Sequence, residues 1–219
     1  MGNPIFDKPA DSSVALAIKT AMTDRHLSVY DLIQVAFAAL DPATKALGPF
    51  VVDDVEYRDL KRFIRKETRL TNFDRTALEG FLRMFYPMKG PFVYPGDPTS
   101  LEGEAPKGSG QCAALVQETM MIGLTKTWRE GIRVQGNGPL IQKGTAVATF
   151  VDGYYPNKDH DNHVAYYLDQ DPSGVKVMDQ WSGKDEVSSR VMKFKARRGD
   201  GLYTDPSNNG SALSVIMTK

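Results

Sequence analysis

Cys112 is the only cysteine in a chain of 219 residues, and it closes the run Gly108-Ser109-Gly110-Gln111-Cys112, which leads straight into the apolar segment AALVQETMMIGL. A single thiol excludes an internal disulfide and any zinc site built on several thiolates. What remains is an inert buried thiol or a reactive one. At the first turn of a helix, free backbone N–H groups and the positive end of the helix dipole stabilise a thiolate and lower the thiol's pKa. The glycines before it allow another stretch of chain to approach closely. A thiolate nucleophile needs a base to take its proton, and the sequence holds three histidines. His26 lies in a helical stretch between Arg25 and Leu27, and His160 sits in the polar loop NKDHDN. His163 opens the strand-like HVAYYL, where a side chain at a sheet edge can face a helix N-terminus packed across it. It is the candidate base.

A third polar group should orient the imidazole and stabilise its charged form, which favours a carboxylate on the neighbouring strand. The segment VMDQW supplies Asp179, with Gln180 beside it. Strand register decides between them. A tight two-residue turn at Pro172-Ser173 would set Gln180 on the His163 side and Asp179 on the other, whereas one extra loop residue or a bulge reverses this. Charge favours Asp179.

Other chemistry is poorly supported. A lone cysteine in an apolar helix is commonly a core residue. Gly108 and Gly110 suggest a phosphate cradle, but the Gly-Lys-Ser/Thr ending of a P-loop is missing. Ser109 lacks the Gly-x-Ser-x-Gly frame of a nucleophile elbow. The cluster DHDNH (159–163) contains metal-ligand types, with His160 and His163 close in sequence, yet no matching motif occurs elsewhere. Tyr154, Tyr155, Tyr166, Tyr167 and Trp128 read as core or sheet-face residues, and Trp181, just past Asp179, is a candidate wall of a substrate groove.

The elements that must position these residues fall into two halves. From residue 11 to about 86, apolar side chains recur at helical spacing. A first helix from Asp11 would bury Val14, Ile18 and Met22; a second has capping residues Ser28 and Asp31 before Leu32, Ile33, Ala36, Phe37 and Leu40. A third, from Val55 to Glu67, carries Leu60, Phe63 and Ile64, and a fourth follows Thr71 and Asp74 with Leu78, Phe81, Leu82 and Phe85. Arg58, Lys61, Arg62, Arg65 and Lys66 on the third helix, diluted by acidic neighbours, read as a solvated face. Residues 86–110, dense in proline and glycine, read as a connection. A helix over 112–124 follows, and then β-rich segments at 145–151, 163–170, 174–181, 189–195 and 212–217, several joined by tight turns. The expected class is α+β: a helical N-terminal domain over 1–90, then a domain over 91–219 with the cysteine-bearing helix packed on an antiparallel sheet.

Bulk composition narrows the function. The 27 basic and 27 acidic residues cancel, which removes the long-range attraction for nucleic acid or an anionic membrane. No apolar run approaches the roughly 20 residues of a membrane span, and the N-terminus lacks the layout of a secretory signal, so a cytoplasmic origin is expected.

GSGQCAALVQ, NHVAYYL, VMDQW and SSRVMKF, in this order, resemble the papain-like amidohydrolases of the NlpC and CHAP superfamily, over about residues 105–219. The resemblance implies Cys112 as nucleophile, His163 as base and Asp179 as third residue, with no metal or organic cofactor. It implies cleavage of peptide amide bonds in bacterial peptidoglycan. Several members are antibacterial toxins delivered by type VI secretion from the producer's cytoplasm into a rival's periplasm, which implies a secretion-system component and a cognate immunity protein as partners. Two competing expectations are an inactive papain-like module used for binding, and a cysteine acyltransferase or deamidase acting on a protein.

Overall fold

Side-chain caps start two helices ahead of the sheet. In this computed structural model, which describes residues 52–219 together with Leu16, Ala17 and Thr20, the chain divides into two units, Met1–Pro87 and Met88–Lys219. Leu16, Ala17 and Thr20 are helical. The expected core residues of the first helix, the whole second helix and His26 lie outside the described residues.

In the first unit, α1 (Asp54–Lys66) starts where the Asp53 carboxylate accepts the Val55 and Glu56 N–H groups, both at 2.8 Å, while Glu56 reaches back to the Asp53 N–H. Thr71 and Asp74 form the same reciprocal cap for α2 (Asn72–Phe85). Such caps satisfy backbone donors that the helix itself leaves open. Tyr57, Leu60 and Ile64 of α1 and Leu78, Phe81 and Leu82 of α2 are buried, and Tyr57 stacks on Tyr86 at 4.1 Å. The basic face of α1 is less solvated than expected: Lys61 is buried 3.8 Å from Glu79, and buried Asp59 pairs with Arg58 and Arg62.

The second unit is a six-stranded antiparallel sheet in the order β1-β6-β2-β3-β4-β5. Its strands are β1 (Trp128–Arg133), β2 (Ala146–Thr149), β3 (Val164–Asp171), β4 (Gly174–Asp179), β5 (Ser188–Lys193) and β6 (Leu213–Thr218). Period-two alternation gives two apolar faces. Ala146, Ala148, Val164, Tyr166, Met178 and Ile216 share a cluster with Leu115 and Val116 of α3 (Cys112–Thr119), so this face carries the helix. Val147, Ala165, Tyr167, Val175, Val177 and Leu213 line the opposite face.

Two elements depart from the sequence expectation. α3 stops at Thr119 rather than near Leu124, because Met120 turns extended and Gly123 takes a positive φ of 76°. This swings Ile122 into the core, where it is 2% exposed. Strand β1 lies outside the β-rich segments, since WREGIR has no clean alternation. It pairs with β6 through a register shift between Glu130 and Arg133, beside Gly131, whose absent Cβ leaves room for the Val215 carbonyl. Buried Arg129 is accommodated by donating to the Lys126 and Trp128 carbonyls, with its guanidinium over the Tyr154 ring.

Candidate active site

Cys112 is the first residue of α3, and the segment before it is clamped from below. Gln180, fully buried at the end of β4, accepts the Lys107 N–H at 2.7 Å and donates to the Lys107 and Gln111 carbonyls at 2.8 and 2.9 Å. The Gln111 carbonyl is also the first acceptor of α3, taking the Ala114 N–H. One side-chain amide therefore ties the helix start to the sheet. Gly108, at φ 53°, lies so close to α3 that a Cβ there would stand 2.9 Å from Glu118 Cγ and 3.1 Å from Ala114 Cβ. Gln111 makes no side-chain cap, so the first-turn N–H groups of α3 are not taken by a capping side chain.

His163 enters β3 from the sheet end, its N–H held by Thr149 Oγ1 at 2.9 Å and its carbonyl by the Thr149 N–H at 3.0 Å. The register beside it answers the choice between Asp179 and Gln180. Asp171 pairs with Gly174, so Pro172-Ser173 is indeed the tight two-residue turn. That register alone would bring Gln180 to the His163 side. A bulge between Tyr167 and Asp169 shifts the pairing by one, from Asp169↔Lys176 to Tyr167↔Val177. Beyond it, Asp179 takes the His163 face.

Asp179 Oδ2 accepts from His163 Nε2 at 2.6 Å and from Arg190 Nε at 2.7 Å, and Oδ1 accepts from Lys184 Nζ at 2.9 Å. His163 is 3% and Asp179 0% exposed. Burial pushes the Asp179 carboxyl up, but the bond from His163 and the charges of Arg190 and Lys184 outweigh it and hold the pKa at about 2. Burial likewise opposes charge on His163, yet its bonds to Asp179 and Cys112 leave its pKa above the ordinary imidazole value. Because Nε2 is committed to Asp179, Nδ1 is the nitrogen left for the thiol. On Cys112 burial again acts upward, and is overcome by the hydrogen bond and charge of His163, by Tyr155 and by the Val164 N–H, so the thiol pKa falls. His163 is bonded to Asp179 and acts on Cys112 beside it, an arrangement that favours a thiolate next to an imidazolium.

Several contributors carry no clear mark in the sequence. Arg190 lies on β5 opposite Val177, one diagonal step from Asp179, and its guanidinium also donates to Asn208 Oδ1 and the Ser207 carbonyl. It thus fastens the β5–β6 loop to the site. Lys184 is delivered by the turn Trp181–Lys184, with Gly183 at φ 91°, and donates to the Ser188 carbonyl as well. Both cage residues follow VMDQW in the chain, and their role depends on the turn and on strand pairing. Tyr155, read as a core residue, reaches Cys112 Sγ with its hydroxyl at 3.7 Å. Gln180, the alternative partner for His163, instead holds the cysteine loop. His160 stands apart, with an 82% exposed side chain bonded to Asp161. Among the described residues no group of three or more His, Cys, Asp or Glu side chains is placed to hold a metal ion, and no helix is long and apolar enough to cross a membrane.

The site opens into a cleft of about 520 Å³. Gln111, Cys112 and Ala113 form one wall, Asn157–His160 another, and Trp181, Arg190 and Ser207 the third. Trp181, 41% exposed, stands edge-on to His163 with ring centroids 6.5 Å apart and lies beneath the Lys184 ammonium, lining the cleft.

The model of the family "Domesticated amidase effector 2" matches residues 90–216. The type VI secretion amidase effector 2 protein of Salmonella typhi is 39% identical over 134 residues, covering 58% of this chain and 98% of that protein. Domesticated amidase effector 2 of Ixodes scapularis is 30% identical over 118 residues, covering 49% of this chain and 80% of its own. A solved structure of type 6 secretion amidase effector 2 (Tae2) superposes with a TM-score of 0.56 at 37% identity, over 59% of this chain and 96% of that one. The broad papain-like resemblance thus narrows to one lineage, and the chain belongs to the Tae2/Dae2 family of amidase effectors.

Proposed function

We propose that this chain is a cysteine amidase that cuts peptide amide bonds in bacterial peptidoglycan, carried by a type VI secretion system into the periplasm of a rival cell. The observation that supports this best is the grouping of half-buried Cys112 and buried His163 on an open cleft, with buried Asp179 bonded to His163 behind them. The amidase names of the relatives agree with it. The helical unit, which lies outside the matched range 90–216, fits a delivery or docking role, and a cognate immunity protein would have to cover or distort the cleft.

Substrate enters beside Trp181, with the scissile carbonyl over Cys112. The thiolate attacks the carbonyl carbon, and the first-turn N–H groups of α3 receive the developing oxyanion. His163, protonated and steadied by Asp179, gives its proton to the departing amine, which leaves a thioester on Cys112. Water then attacks the thioester, passing a proton back to His163, and the thiolate–imidazolium pair is restored. Asp179 stays ionised throughout, because Arg190 and Lys184 fix its charge. A positioned general acid–base of this kind contributes roughly 10²–10⁴-fold in rate.

Purified sacculi provide the test. Mass spectrometry should show new muropeptide ends after digestion with the wild-type protein and none after Cys112→Ala or His163→Ala, with both variants folded. Intact sacculi after wild-type digestion, together with deamidation or acylation of a protein substrate, would move the activity to another acyl-transfer class.

A further inference from the structure

Tyr155 follows a sharp turn that aims it. Val151 and Tyr154 exchange backbone hydrogen bonds at 2.9 and 3.1 Å around Asp152 and Gly153, both at positive φ. A left-handed conformation at a non-glycine residue costs on the order of 1 kcal/mol and persists where the surroundings enforce it. The ring beyond the turn is 7% exposed, and fully buried Trp128 stands edge-on to it at 5.3 Å. With the ring fixed, the hydroxyl arrives 3.7 Å from Cys112 Sγ, its one hydrogen-bond partner among the described residues. A buried hydroxyl needs a partner, and a neutral thiol is a weak acceptor. A thiolate is a good one.

We infer that Tyr155 is a catalytic residue, whose O–H donates to the Cys112 sulfur whenever that sulfur carries charge. The inference rests on Cys112 being the nucleophile. Burial, and then the neighbouring thiolate, keep the phenol protonated far above its ordinary range, so it acts as donor and never as base. In the resting enzyme the bond favours the thiolate. It matters again in deacylation: water adds to the thioester carbonyl and gives its proton to His163, the C–S bond breaks, and the electron pair returns to sulfur, where the Tyr155 O–H meets it. No other reactant is consumed. Tyr155 therefore assists departure of the sulfur as His163 assists departure of the amine.

Tyr155→Phe keeps the ring and its contact with Trp128 and removes only the donor. Iodoacetamide alkylation of Cys112, followed by intact mass across a pH series, should show its inflection about one pH unit higher than in the wild type, a tenfold loss of thiolate at a fixed pH on the acid side. Turnover on peptidoglycan fragments should fall about tenfold with KM unchanged, and the melting midpoint should stay close to that of the wild type. If the variant melts early, the profile is recorded below its midpoint, so the comparison survives. An unmoved inflection in Tyr155→Phe, beside an active wild type, overturns the role of Tyr155 and leaves Cys112 in place. A wild-type inflection at the ordinary thiol value with sacculi left intact overturns both.

Discussion

Asp179→Asn should cost about 2–3 kcal/mol of stability at neutral pH, and the loss should fade in acid. The carboxylate is wholly buried and accepts from His163, Arg190 and Lys184. Two routes lead to the magnitude. Its pKa falls from 3.8 to about 2 on folding, and at 1.36 kcal/mol per pH unit that is about 2 kcal/mol. Removing one partner of a buried ionic cluster costs roughly 3–5 kcal/mol, but Arg190 and Lys184 keep 24% and 12% side-chain exposure and can rehydrate, which points to the lower end. A depressed carboxylate contributes its stability above its unfolded pKa and loses it as pH falls through the folded value. The gap between wild type and Asp179→Asn should therefore be full at pH 7 and nearly closed near pH 2. Urea unfolding followed by tryptophan fluorescence reads this directly, since both tryptophans, Trp128 and Trp181, lie in the sheet unit. A gap of the same size at both pH values would mean that Asn is a steric defect, and no gap at pH 7 would mean that the ionic cage is not formed.

Other substitutions separate the clamp from the chemistry. Gln180→Leu strips partners from the Lys107 and Gln111 backbone groups and should cost about 2 kcal/mol, with lower turnover but an unshifted Cys112 alkylation profile, because the hydrogen bonds of Gln180 go to Lys107 and Gln111 and not to His163 or the thiol. Gly108→Ala forces a Cβ into the left-handed region and against Ala114 and Glu118; a loss of about 1–2 kcal/mol is expected, read as a melting point several degrees lower.

The features of this chain legible in its sequence share a local cause. The cap at Thr71 and Asp74, the helix opening at Cys112 and the turn at Pro172-Ser173 depend on residues within a few positions of one another, whereas the Asp53 cap of α1 is seen only in the structure. What escaped depends on distant backbone. Nothing in YYLDQD marks the bulge after Tyr167, yet that single extra residue decides which of Asp179 and Gln180 faces His163. Strand β1 hid behind Arg129, Glu130 and Gly131 because its partner β6 lies at the far end of the chain. Arg190 became informative only when β5 paired with β4 in a known register. Tyr155 read as core, and it is core along its ring; only its hydroxyl reaches the site. The candidate site is assembled where period-two alternation is broken and where an aromatic ring ends in a polar atom.

By the proposed route, amide cleavage passes through a thioester on Cys112. Wild-type digestion of sacculi in the presence of hydroxylamine tests it most directly, because a thioester partitions between water and the added nucleophile. The prediction is a hydroxamate at the newly formed acyl end of the muropeptides, none of it appearing with Cys112→Ala. Release of free carboxylate ends at an undiminished rate by Cys112→Ala, with no hydroxamate from either protein, would contradict it.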